Sequence, residues 1–149
     1  MRDLPKDFKL IRDGGIGELI GREVIAYDAE RQAVDMQFTL GEVFVNFQGV
    51  IHGGIIATLL DTLCGVVIRL SYNPDDYAGH VTLELKTSFF EASYPGVFRG
   101  EGRLKRLGRS VAFSEADLFN VDTTISAAQA LIVYDRAQGG CGWGAWLGC

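Results

Sequence analysis

The residues best suited to chemistry lie close together near the middle of the chain. They are an amide at Asn46, an imidazole at His52, two glycines at Gly53 and Gly54, and a carboxylate at Asp61. Backbone N–H groups at the start of a helix have no partner within it, and they attract negative charge. A carboxylate, an imidazole and free N–H donors can together support attack on a carbonyl group.

A helix from Gly53 to Ser71 is predicted to carry these groups, because apolar residues recur there at helical spacing. Asp61 interrupts the apolar sequence, and a buried carboxylate is costly unless it is used or paired. The residues one or two turns away are small, which leaves room for a ligand or a second chain. They are Gly54, Ala57, Thr58, Cys64 and Gly65.

The helix also separates the candidate groups from each other. From Gly53 to Asp61 it rises about 12 Å, at about 1.5 Å per residue. One chain therefore cannot easily bring the carboxylate and the His52–Gly53 end to the same atom. Two antiparallel copies of the helix could, which predicts a site shared by two subunits.

Two strand-like segments precede this helix and four follow it, and the last four suggest an antiparallel meander. A lone apolar helix needs a cover, and a curved sheet wrapped around it is the simple solution. The predicted fold class is therefore α+β, an antiparallel sheet around one long central helix. The predicted strands are 18–28, 31–40, 80–90, 97–105, 110–120 and 124–135.

Length and composition favour one globular domain, with 149 residues of which 48% are hydrophobic and 22% charged. A net charge of −5 argues against nonspecific nucleic-acid binding. The charged start of the chain does not resemble a signal peptide, and Asp61 and Arg69 argue against a membrane span. The three cysteines, Cys64, Cys141 and Cys149, show neither metal spacing nor a disulfide framework, so a reduced, cytoplasmic setting is expected.

The pattern of Asn46, His52-Gly53-Gly54 and Leu60-Asp61 resembles the hotdog-fold acyl-CoA thioesterases of the phenylacetate-pathway (PaaI-like) type. The resemblance covers roughly Gly17 to Arg136. It implies hydrolysis of an acyl-CoA to a free acid and coenzyme A, with water as the second reactant and with neither metal nor cofactor. It also implies a homodimer, and further a dimer of dimers.

The resemblance gives the central residues roles, and each residue also has a structural interpretation. Asp61 would act as general base or as nucleophile, or it could be a polar residue at a dimer seam. The Gly53 N–H would polarise the thioester carbonyl, in what could also be a simple tight turn. His52 would position the thioester or merely cap the helix. Asn46 would hold water or substrate, or bond its own backbone.

Three further residues are assigned to substrate binding. Thr82 aligns with a family Ser or Thr beside the carboxylate, although it could be an ordinary strand residue. Thr62 follows Asp61 in the sequence, and Gly54 follows His52–Gly53. Their assignment to substrate binding rests on that proximity. In the shared site, Thr82 would come from the same subunit as Asp61.

A basic cluster surrounds a turn in the second half of the chain, and it is unusual in an acidic protein. It could bind the phosphates of coenzyme A, or it could be a solvated hairpin end. Its members are Arg103, Lys105, Arg106 and Arg109. The acyl pocket is expected to draw on aromatic residues among Phe44, Phe47, Phe89, Phe90 and Tyr94.

The predicted thioesterase domain spans residues 1–136. Residues 137–149 form a tail rich in Gly, Trp and Cys, which departs from the family pattern and is expected to be disordered or artefactual. Two other functions remain open at this point. One is a non-catalytic acyl-CoA-binding protein, and the other is an acyl-thioester hydratase or dehydratase.

Overall fold

The computed structural model describes residues 15–72, 77–120 and 123–136, and within them it contains six strands and one long helix. The predictions for the first residues, for the turn at 73–76 and for the tail at 137–149 lie outside these ranges. The elements are α1 (Ile16–Leu19), β1 (Glu23–Asp28), β2 (Ala33–Leu40), α2 (Gly53–Ser71), β3 (Tyr77–Phe89), β4 (Gly96–Leu107), β5 (Val111–Asn120) and β6 (Thr123–Arg136).

The predicted helix is confirmed with its bounds, but the first predicted strand begins too early. Ile16–Leu19 forms a short helix, closed by a hydrogen bond of 3.0 Å from Ile20 N to Ile16 O. Ile20 is fully buried, and Gly21 follows it with a φ of 56°, a conformation that glycine adopts readily. The chain therefore turns here, and β1 starts at Glu23.

All six strands form one antiparallel sheet in the order β1-β2-β4-β5-β6-β3. The predicted four-strand meander is therefore wrong for β3, which pairs with β6 instead of β4. The reason lies in α2, which connects β2 to β3. This helix crosses the sheet, so the chain leaves it at the edge opposite to β1. Strand β4 then takes the place beside β2, and only β4, β5 and β6 form a meander.

Two glycines of β4 let α2 approach the sheet closely. A Cβ atom on Gly102 would lie 2.6 Å from the backbone oxygen of Leu63, and one on Gly100 would overlap the Leu63 side chain. Leu63 is fully buried, together with other apolar residues of the helix. An alanine at Gly102 would push the helix backbone off the sheet, since a backbone carbonyl cannot rotate away as a side chain can.

The core is the layer between α2 and the sheet face that α2 covers. Its largest fully buried side chains come from the turn before β1, from the sheet and from the helix, and include Ile20, Phe38, Phe98, Leu59, Leu60, Leu63, Ile68 and Leu118. By length and composition α2 could cross a membrane. Its apolar side instead packs on this sheet, as expected of the central helix of a globular domain.

Candidate active site

His52 caps the start of α2. Its backbone N–H donates to Phe44 O at 2.9 Å, and its Nδ1 accepts a hydrogen bond of 2.9 Å from the N–H of Gly54. A neutral imidazole that accepts through Nδ1 carries its proton on Nε2. The cap therefore leaves an Nε2–H donor that can face a ligand, so the capping and functional interpretations of His52 are compatible.

Gly53 presents a free backbone donor at the same point. The Gly54 N–H is taken by His52, and the Ile55 N–H bonds to His52 O at 2.9 Å. Within the part of the chain that the structure describes, no acceptor bonds the Gly53 N–H. Gly53 is also exposed, so this donor can meet a developing oxyanion and gains from the helix dipole.

Asn46 lies in the loop that leads into the cap. Its side-chain Oδ1 accepts from the Gln48 N–H at 2.9 Å, while its own N–H donates to Val50 O at 2.8 Å. This is the backbone-bonding role that the sequence left open. It uses one lone pair of the amide oxygen, so the two N–H donors of the amide remain for a ligand or a water molecule.

The carboxylate of Asp61 is held by Thr82. The Thr82 hydroxyl donates to Asp61 Oδ1 at 2.7 Å, across the gap between α2 and β3. Asp61 is half-buried, and one turn further along lies Cys64, which is fully buried. Burial raises the pKa of the Cys64 thiol to about 12, so this group is neutral and offers no nucleophile beside the carboxylate.

A strip of small residues along α2 is partly open to solvent near the carboxylate. The Thr62 hydroxyl donates to Thr58 O at 2.7 Å, and the Thr58 hydroxyl donates to Gly54 O at 2.9 Å. Both threonines therefore direct their protons into the helix. The open strip ends before Gly65, because a Cβ there would lie 2.5 Å from Nε2 of His80. Gly65, one of the small residues predicted to leave room for a second chain, is therefore covered by His80.

Strand β3 runs antiparallel to α2 along this open side. Three contacts, taken from the end of the helix to its start, establish the alignment. They join Gly65 to His80, Asp61 to Thr82 and Gly53 to Phe89. Asp61 and Gly53 therefore both border the gap between α2 and β3, eight residues of helix apart, in keeping with the separation of about 12 Å that the helix rise gives.

Two side chains of the basic cluster pair with carboxylates of the described chain, and two do not. Arg103 pairs with Glu101 at 2.7 Å and also with Asp117, and these partners raise its pKa although burial acts in the opposite direction. Lys105 lies 3.3 Å from Glu115. Arg106 and Arg109 have no ion-pair partner among the described residues. Of the four cluster members, these two therefore have guanidinium groups that no carboxylate of the described residues occupies.

No three His, Cys, Asp or Glu side chains converge into a possible metal site within residues 15–72, 77–120 and 123–136. A cavity of about 460 Å³ lies elsewhere, on the sheet face that points away from α2. Asp35, Arg99 and Glu101 contribute to its lining, so it is separate from the Asp61 region. Burial and the charge of Glu101 raise the pKa of Asp35.

The family is established by comparison with known proteins. Residues 48–127 match the thioesterase superfamily, and this range contains both His52 and Asp61. A protein of Saccharolobus solfataricus that bears an esterase name is 34% identical over 105 residues, which are 70% of this chain and 71% of that protein. The chain therefore belongs to the thioesterase superfamily, a family of hydrolases.

Solved structures confirm the hotdog fold and the resemblance to PaaI-like proteins. A Ralstonia eutropha protein, described as a thioesterase related to phenylacetic acid degradation, has a TM-score of 0.75 at 25% identity, over 79% of this chain and 88% of its own. The Escherichia coli PaaI protein has a TM-score of 0.73 over 85% of this chain and 88% of its own. Its identity is 13%, so it bears on the fold alone.

Proposed function

We propose that the protein is an acyl-CoA thioesterase, which hydrolyses an acyl-CoA thioester to a free carboxylic acid and coenzyme A. The observation that carries the proposal is the free N–H of Gly53 at the start of α2, beside the His52 cap. A thioester oxygen bound there would gain stabilisation as negative charge develops on it during attack. Asp61 supplies the second element, as general base on water or as nucleophile.

The helix rise between Gly53 and Asp61 supports a site built from two subunits. One subunit would supply Asn46, His52 and Gly53, and the other would supply Asp61 and Thr82. Two antiparallel helices related by a two-fold axis would bring each N–H donor to the partner's carboxylate. The Thr82 hydroxyl would then hold the Asp61 carboxylate in position, as it does within one chain at 2.7 Å.

The exposed surface around the site is consistent with a partner subunit. Strand β3 forms an edge of the sheet, and Val81 and Leu83 on it are 42% and 59% exposed. A long edge strand with apolar side chains is a ready template for pairing with another chain. Phe47, next to Asn46, is 97% exposed, and a second subunit would cover it. A homodimer paired through β3 would account for both features.

Coenzyme A would place its phosphates near the β4–β5 turn. Arg106 and Arg109 are exposed there without carboxylate partners in the described chain. Arg103 is held by Glu101 and Asp117, so we assign it to the sheet surface rather than to direct phosphate binding. An arginine guanidinium fits a phosphate through paired hydrogen bonds.

Replacing both Arg106 and Arg109 by Ala is expected to raise KM for acyl-CoA by about tenfold, since two exposed ion pairs at up to about 1 kcal/mol each together reach the roughly 1.4 kcal/mol that a factor of ten requires. The KM for the matching acyl-pantetheine thioester, which lacks the nucleotide phosphates, should change little. Arg99→Ala is the control, because Arg99 lies on β4 like Arg106 but near the other end of the strand, away from the β4–β5 turn. Equal changes for both substrates would remove the two arginines from phosphate binding.

Thiol release tests the function itself. The purified wild-type protein is expected to release coenzyme A from at least one member of a panel of short, medium, long and aromatic acyl-CoAs, with or without a chelator. Binding of acyl-CoA without thiol release would indicate the non-catalytic binding protein. Addition of water to an unsaturated acyl-CoA, followed by its absorbance, would indicate the hydratase. Either result from folded protein contradicts the thioesterase proposal.

A further inference from the structure

Phe89, the last residue of β3, lies directly beside the first residue of α2. A Cβ atom built on Gly53 would lie 3.7 Å from both Cε1 and Cζ of the Phe89 ring. Apart from the chain neighbours of Gly53 and the backbone of α2, no other described residue comes within 4 Å of that point. The ring therefore lies at ordinary van der Waals distance from the position that a Cβ atom on Gly53 would take.

The register of the sheet fixes the direction of this ring. Phe89 pairs with Ser126, and Ser126 pairs with Leu118 on the next strand. Leu118 is fully buried against α2, and directly paired residues point to the same face of a sheet. Phe89 therefore points to the helix side, yet it remains 52% exposed because it lies at the sheet edge near the helix start. Part of the ring is open to a ligand.

The position of the ring limits what a bound acyl group can carry. An oxygen bound by the Gly53 N–H would lie about 3 Å from the nitrogen. The carbonyl carbon would lie roughly 4 Å from the same nitrogen, after addition of the C=O bond length. The next carbon of the acyl chain is one bond further, within reach of a ring that contacts Gly53. A substituent on that carbon that points towards β3 would meet the Phe89 ring.

We infer that Phe89 determines acyl specificity by excluding substituents on the carbon next to the thioester carbonyl. This inference rests on the proposed function, and it names the preferred substrate class as acyl-CoAs unbranched at that carbon. An aromatic ring is rigid, with two rotatable bonds, so it cannot fold away from a methyl branch as a long aliphatic side chain can. An unbranched chain passes beside the ring and gains apolar contact with it.

The test compares two substrates on three proteins. The substrates are the acyl-CoA that the wild type hydrolyses fastest and the same acyl-CoA with one methyl group on the carbon next to the carbonyl. The wild type should favour the unbranched substrate in kcat/KM. Phe89→Ala should reduce this preference about tenfold, since one methyl group in an apolar pocket changes specificity by about 10- to 200-fold. Phe119→Ala is the matched control, and it should leave the ratio within about twofold.

Phe119 is a suitable control because Phe119→Ala makes the same chemical change on β5, beside the cavity that Asp35 and Arg99 line on the sheet face away from α2. Equal ratios for the two variants, or a wild type without the preference, would overturn the inference. A wild type that releases no thiol from any acyl-CoA would instead overturn the proposed function. Circular dichroism checks the fold, and Phe89→Leu replaces Phe89→Ala if the smaller side chain prevents folding.

Discussion

Asp61→Asn is expected to lower turnover by about 100-fold or more, because general-base catalysis typically contributes a factor of that size. The substitution keeps the size of the side chain and the oxygen that accepts from the Thr82 hydroxyl at 2.7 Å. It removes the charge that would take a proton from water or attack the carbonyl. Folding and coenzyme A binding should therefore persist, and calorimetric titration with coenzyme A checks the binding.

Asp35→Asn is the matched control for this experiment. It makes the same chemical change on β2, on the sheet face that points away from α2, and it should leave kcat within about twofold. If Asp61→Asn keeps most of the wild-type activity, Asp61 is a structural partner of Thr82 and the base must be sought elsewhere. The result does not depend on whether Asp61 acts as base or as nucleophile, since an amide does neither.

The sequence predicted α2 with its bounds because two kinds of signal agree there. Apolar residues recur at helical spacing from Ile55 to Leu70, and Gly53 and Gly54 mark the start. The pairing of β3 could not be read in the same way. Alternation along a strand reports which face is buried, while the identity of the neighbouring strand depends on where the helix delivers the chain. The meander prediction therefore failed at β3 alone.

In the candidate site, too, the sequence indicated which residues matter but not which of them are in contact. The helical spacing places Asp61 among small residues, but its contact with Thr82 joins positions 21 residues apart and was suggested only by the family resemblance. The basic cluster is visible in the sequence, whereas the pairing of Arg103 with Asp117 follows from the register of β4 and β5. Because Gly65 is small, the sequence suggested that a second chain could approach it. The His80 side chain that covers Gly65 comes from β3, and the sequence of the helix does not report that contact.

Mixing two inactive variants should restore activity, if each site draws on both subunits. Asp61→Ala and Asn46→Ala are unfolded together and refolded, and random pairing makes half of the dimers mixed. In a mixed dimer, one site combines the intact Asn46 loop of the first chain with the intact Asp61 of the second. The other site carries both defects. Activity should therefore recover to about a quarter of the wild-type value, from near zero for either variant refolded alone.

The comparison mixture is Asp61→Ala with Asp61→Asn, which cannot form an intact site in any pairing and should stay inactive. It separates true complementation from any gain caused by refolding itself. Subunits carrying two different labels, together with measurement of molecular mass, establish that mixed dimers form. If mixed dimers of Asp61→Ala and Asn46→Ala form and remain as inactive as their parents, both groups serve one site within one chain. The helix rise of about 12 Å between Gly53 and Asp61 would then have to be bridged by the substrate or by movement of the loop around Asn46.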